Sequence, residues 1–154
     1  MPVRVITPRR LIPAFFVAVV TSLIASIGHA QLPQTRLTAV FPLGAQAGQS
    51  IEVTASSGTD LDELDRMSFS HPGITAQLKS GSTFAVSVAA DVPVGVYEVT
   101  VHGLYGTSNP RSFVVGSLPE VQENDANDSQ EKAQAIEIGS VVNGRSNRGA
   151  DVDF

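Results

Sequence analysis

From residue 36 to residue 116 apolar and polar side chains alternate, and turn residues interrupt the alternation about every ten positions, the rhythm of an all-β domain. Arg36–Phe41 reads as a first strand, closed by Pro42 and Gly44. In Ser50–Ala55, Ile51 and Val53 alternate with Glu52 and Thr54, one face for the core and one for water. Ser56-Ser57-Gly58 breaks that strand, and Leu61–Leu64 is a polar excursion read as one helical turn capped by Asp60. Arg66–Ser70 puts Met67 and Phe69 on one face, His71-Pro72-Gly73 turns, and Ile74–Lys79 resumes. After Ser80-Gly81-Ser82, Thr83–Ala89 directs Phe84, Val86 and Val88 inward. Gly95–His102 does the same with Tyr97, Val99 and Val101, and Ser112–Val115 completes seven strands. That count in about eighty residues fits an immunoglobulin-like β-sandwich.

Tyr97 sharpens the expectation. It stands two residues before Val99, where a crosslinked member of that fold carries its second cysteine. Tyr97 is then either the corner tyrosine, its hydroxyl bonded to upstream backbone, or an ordinary half-buried core aromatic. Past Val115 the pattern changes. Gly116–Glu120 reads as a linker and Glu123–Ser129 as an acidic, amide-rich loop. Glu131–Ile138 is a helical turn or an extended segment, and Val141–Gly144 a strand running into an Asn-Gly hairpin turn.

At the other end, Arg4, Arg9 and Arg10 precede an uncharged, mostly apolar run from Leu11 to Gly28, followed by the small-x-small pattern Gly28-His29-Ala30. Residues 1–30 therefore read as a secretory signal peptide cleaved after Ala30. An uncleaved anchor is the alternative, since the run is just long enough to span. Arg9-Arg10 also admits a twin-arginine route, against which Pro8 and the missing polar consensus stand. The expected location is secreted, periplasmic or cell-surface, with no stable membrane span once the leader is removed.

Composition narrows the function classes. The absence of cysteine excludes a disulfide scaffold, a thiolate zinc site and a cysteine nucleophile. Three of the ten basic residues precede residue 31, so the remainder carries seven basic against fifteen acidic side chains, a net of −8. Such a surface lacks the basic footprint of a nucleic-acid binder. There is no G-x-S-x-G elbow, no H-E-x-x-H and no phosphate loop. Ser70 and His71, adjacent in a strand or turn, point apart, and His71 and His102 read as surface histidines. Asn127-Asp128-Ser129 is a formal glycosylation sequon, read as coincidence.

Two resemblances organise the chain. LTAVFPLGAQAGQSIEVTASSGTDL resembles the opening of an IPT/TIG-type immunoglobulin-like domain, and FAVSVAADVPVGVYEVTVHGLYGTSNPRSFVV its end. The resemblance covers about eighty residues and assigns 31–117 to one sandwich, while implying little about function. The tail is similar to the start of a bacterial pre-peptidase C-terminal domain, a small β-sandwich found beside secreted peptidases. Glu123, Asp125, Asn127, Asp128 and Ser129 match its acidic opening, with Asp125 for Glu and Ala126 for Pro. Ala133, Ala135 and Ile136 match its Ala-rich segment, Val142 and Gly144 its turn, and Asp151, Asp153 and Phe154 its G-D-x-D-x-F strand. Residues 118–154 would then be a linker and a partial second sandwich, with further domains expected downstream of Phe154.

In some relatives of that domain the acidic opening and the later Asp pair bind calcium. Carried over by position, the candidate metal ligands are Glu123, Asp125, Asn127, Asp128, Asp151 and Asp153. Their oxygens suit an ion that takes six to eight such donors. If the segment is extended, Glu123, Asp125 and Asn127 point the same way. An EF-hand is excluded, because Gln130 and Ile136 occupy its Gly and Glu positions. The bland alternative is a solvated acidic linker. No other cofactor and no catalytic residues are expected. The chain reads as a non-catalytic secreted module that spaces, or binds protein or polysaccharide. The alternative is the N-terminal accessory region of a secreted peptidase or other hydrolase.

Overall fold

The computed structural model describes residues 32–124, 126–146, 152 and 154. The leader and the ligand candidates Asp125, Asp151 and Asp153 lie outside the described residues. The fold is all-β, its one helical element among the described residues being a 3-10 turn at Gln130–Lys132. No helix among these residues is long and apolar enough to cross a membrane.

Two sheets make the sandwich. The first joins β1 (Arg36–Phe41), β3 (Ser50–Thr59), β6 (Thr83–Val88) and β5 (Ile74–Ser80) in the order β1-β3-β6-β5, all antiparallel. The second runs β2 (Gly44–Gln46), β9 (Arg111–Gly116), β7 (Gly95–Gly103), β4 (Arg66–Phe69), with β8 (Gly106–Thr107) folding back on β7. With β2 set aside, this is the four-plus-three strand order of an immunoglobulin-like sandwich. Inward positions from both sheets close the core. Leu37, Val40, Val53, Phe84, Val86 and Val88 come from the first sheet, and Met67, Val99, Val101, Phe113 and Val115 from the second. Phe69 meets Phe113 edge-on, ring centroids 5.0 Å apart. Val99, at the position where a crosslinked member of the fold carries cysteine, is fully buried in this core, a burial worth roughly 1.5–3 kcal/mol per large side chain.

Several local expectations change. The first strand does not simply end at Pro42. A cis peptide joins Phe41 to Pro42, and the chain crosses to the other sheet, where Gly44–Gln46 pairs parallel with β9. The third strand continues through Ser56-Ser57-Gly58 instead of breaking, because it pairs with β1 as far as Thr59. Gly58 permits this, since a Cβ there would collide with the Arg36 carbonyl. Leu61–Leu64 forms a turn and no helix. Asp60 and Glu63 take positive φ values of 53° and 49°, and Asp60 Oδ2 accepts the Gln34 N–H at 3.2 Å in place of capping a helix.

Tyr97 is a corner tyrosine, its hydroxyl donating to the Pro93 carbonyl at 2.7 Å. The tail also departs from expectation. Glu120–Gln122 (β10) pairs in parallel with Val141–Asn143 (β11), and neither Asn143 nor Gly144 takes the positive φ that a two-residue Asn-Gly turn requires. A parallel pair needs a long crossover, and residues 123–140 supply it. Of Glu131–Ile138, only the first two residues belong to the 3-10 turn.

Candidate functional site

The tail does not hang free of the sandwich. Asn143 is buried at 8% exposure, its Oδ1 accepting the Leu43 N–H at 3.2 Å and its Nδ2 donating to Glu120 Oε2 at 2.5 Å. One amide thereby fastens β11 both to the sheet-crossing turn and to β10. The next residues follow from that anchor. The Glu123 carboxylate accepts the Arg145 N–H, and the Arg145 guanidinium lies over the Phe41 ring, 3.7 Å from its centroid. Such stacking of a cation on an aromatic face contributes about 0.5–1 kcal/mol at an exposed site.

Between this strap and the first sheet lies a cleft of about 640 Å³. Phe41, Pro42 and Ile51 give it apolar surface, while Glu52, Thr54, Thr83, Gln122, Glu123 and Arg145 give it polar groups. Its position has a structural origin. β1 ends at Phe41, paired with Thr54 of β3. The Val88 N–H reaches Gln49 O at 2.9 Å and the Ala55 N–H reaches Ser82 O at 2.9 Å, so the odd-numbered residues of β3 bond to β6. By antiparallel alternation Ser50 and Glu52 turn their backbone N–H and C=O groups the other way. No strand among the described residues covers that edge beyond Phe41. The cleft is the uncovered stretch of β3, roofed by the tail.

The sheet face continuing from this cleft is rich in hydroxyls. Register aligns Ser50 with Ser87 and Thr75, and Glu52 with Ala85 and Gln77 across β3, β6 and β5. Ser50 and Ser87 share a hydrogen bond of 2.8 Å, and Thr54 and Thr83 one of 3.0 Å. Lys79 reaches across to ion-pair with Glu52.

The calcium candidates are placed differently from one another. Glu123 lines the cleft, whereas Asn127 is buried and Asp128 is exposed. The segment is not extended. Asn124 closes a turn, its Oδ1 accepting the Ala126 N–H at 3.2 Å and its carbonyl the Asn127 N–H at 3.1 Å. Glu123 and Asn127 therefore do not follow the alternation of a strand. No three His, Asp or Glu side chains converge among the described residues. A calcium site drawn from these candidates would depend on Asp125, Asp151 and Asp153. Nearby, the Glu131 carboxyl is held below its ordinary range, first by a backbone N–H and then by Ser129. Asn127, the acceptor position of the sequon, is itself buried.

The histidines are engaged locally. His71 Nδ1 accepts the Gly73 N–H at 3.1 Å, and its ring meets Tyr97 edge-on. Ser70 Oγ accepts the Glu98 N–H at 2.9 Å, so Ser70 and His71 serve different backbone groups. His102 Nδ1 lies 3.0 Å from Asp65 Oδ1. Sequence reasoning missed Phe41, Arg145 and the cleft. The signal for Phe41 was the Phe-Pro step that ends β1, whereas nothing along the chain links residue 41 to residue 145.

No family model matches the sequence, and no curated protein does. Among solved structures, the chain is similar to SGBP-B of the Bacteroides ovatus mixed-linkage glucan utilization locus, in complex with a mixed-linkage heptasaccharide. The identity is 18% and the TM-score 0.39, over 64% of this chain and 26% of that one. This chain thus spans about a quarter of that protein's matched chain.

Proposed function

We propose that the chain is a non-catalytic, exported β-sandwich module that binds polysaccharide in the cleft between β3 and the tail. The lining carries this reading. The open backbone edge at Ser50 and Glu52 offers both donors and acceptors, and so do the Thr54 and Thr83 hydroxyls and the Gln122 amide. Carboxylates at Glu52 and Glu123 add acceptors, and Arg145 adds donors. A sugar hydroxyl both donates and accepts, so it can use all of these groups, while Phe41, Pro42 and Ile51 offer apolar surface to a pyranose face.

Affinity electrophoresis of the full chain through gels containing soluble polysaccharides tests the reading. Retardation by at least one polysaccharide, reduced by Arg145→Ala, is expected. Unchanged mobility in every polysaccharide gel would overturn it.

A further inference from the structure

We infer that the ligand is an uncharged glycan chain that leaves the cleft and lies across the outer face of the β3-β6-β5 sheet; this rests on the polysaccharide reading above. Charge is the first argument. Beyond the leader, the sequence carries a net of −8. Yet the charged groups along this tract are Glu52, Lys79, Glu123 and Arg145, two of each sign. Lys79 neutralises Glu52 by direct contact, and Arg145 sits in the same cleft as Glu123. The tract is electrically balanced on a molecule that repels polyanions, so it favours a neutral ligand over a uronate polymer.

Shape is the second argument. The cleft shares Glu52, Thr54 and Thr83 with the sheet face, and the Lys79–Glu52 ion pair bridges β5 to β3 where the two meet. Ala85, on the central strand β6, lies between Glu52 and Gln77 and carries only a methyl group. The row therefore sets a methyl group between the Lys79-paired Glu52 carboxylate and the Gln77 amide. Beyond it, Ser50, Ser87 and Thr75 form a further row. From Thr54 to Ser50 the rows extend about 14 Å at the usual rise per residue, and the three strands span about 10 Å. This face is longer than a single sugar ring, and every row offers hydroxyl, amide or carboxylate groups. An extended peptide could instead pair with the open β3 edge. It would use the backbone edge but not the rows across β6 and β5.

The test measures affinity of the full chain for three probes: a neutral soluble glucan, polygalacturonate, and an extended uncharged hexapeptide. Binding of the glucan alone is expected, unchanged between about 0.05 and 0.5 M NaCl, because no net charge is matched. Ala85→Arg and Gln77→Arg, both on exposed positions, should each weaken glucan binding tenfold or more. Val96→Arg, on the outer face of the opposite sheet, should leave it unchanged. Thermal melting of each variant confirms folding. Binding of polygalacturonate equal to or tighter than glucan would overturn the inference while leaving the polysaccharide reading intact. So would full glucan affinity in both folded arginine variants. Binding of the peptide alone, or of no probe, would overturn both.

Discussion

The Tyr97 hydroxyl donates to the carbonyl of Pro93, four residues upstream, at 2.7 Å. The bond ties the entrance of β7 to the loop before it, and His71 meets the same ring edge-on from the turn before β5, with centroids 5.3 Å apart. Tyr97→Phe keeps the ring and removes only the hydrogen bond. It should lower stability by about 1 kcal/mol, toward the small end because the bond is exposed. Urea unfolding measures this, with the midpoint falling and the slope unchanged.

The core relies on packing where related folds carry a crosslink. Phe113 is fully buried and meets Phe69 across the second sheet. Phe113→Ala should cost about 3–5 kcal/mol, the transfer of a large side chain plus the cavity left behind. Equilibrium unfolding of the variant reads the loss directly.

Gly103 ends β7 against the turn at Asp62. A Cβ at this position would lie 2.6 Å from the Asp62 carbonyl and 2.9 Å from Leu64 Cδ2. Gly103→Ala should therefore destabilise by roughly 1–3 kcal/mol, as overpacking does. Gly81→Ala provides contrast, since nothing lies within 4 Å of its Cβ position and only its positive φ of 54° opposes the change. Melting both variants separates close packing from backbone strain, and the larger drop is expected for Gly103.

Asn143 is the fastener of the tail. Asn143→Ala removes the acceptor for the Leu43 N–H and the donor to Glu120. Loss of one bond of about 1.4 kcal/mol is tenfold in a local opening equilibrium. Hydrogen exchange at the Leu43 amide should accelerate about tenfold on the energy scale of a single hydrogen bond, while that at Val99 in the core stays unchanged.

Alternation made the sandwich legible because each strand has one buried face, and Phe84, Val86 and Val88 show it without exception. The corner tyrosine was legible from its spacing to Val99. Three features were not. Gly44–Gln46 is too short and too poor in large apolar residues to show a period, and its pairing with β9 is set by the other sheet. Asn143-Gly144 carries a hairpin signal, but the Asn143 side chain is spent on Leu43 and Glu120, and tertiary bonding overrides the local preference. The cleft depends on residues 41, 52, 83, 123 and 145 meeting in space, a juxtaposition with no trace in linear spacing.

Amide chemical-shift mapping of the isotope-labelled full chain during titration with a neutral oligosaccharide tests the central claim most directly. The account predicts saturable shifts concentrated at Glu52, Thr54, Thr83, Ala85 and Arg145, with Val96 and Val114 on the opposite face unmoved. Shifts confined to the Val96–Val114 face, or none at saturating oligosaccharide, would contradict it.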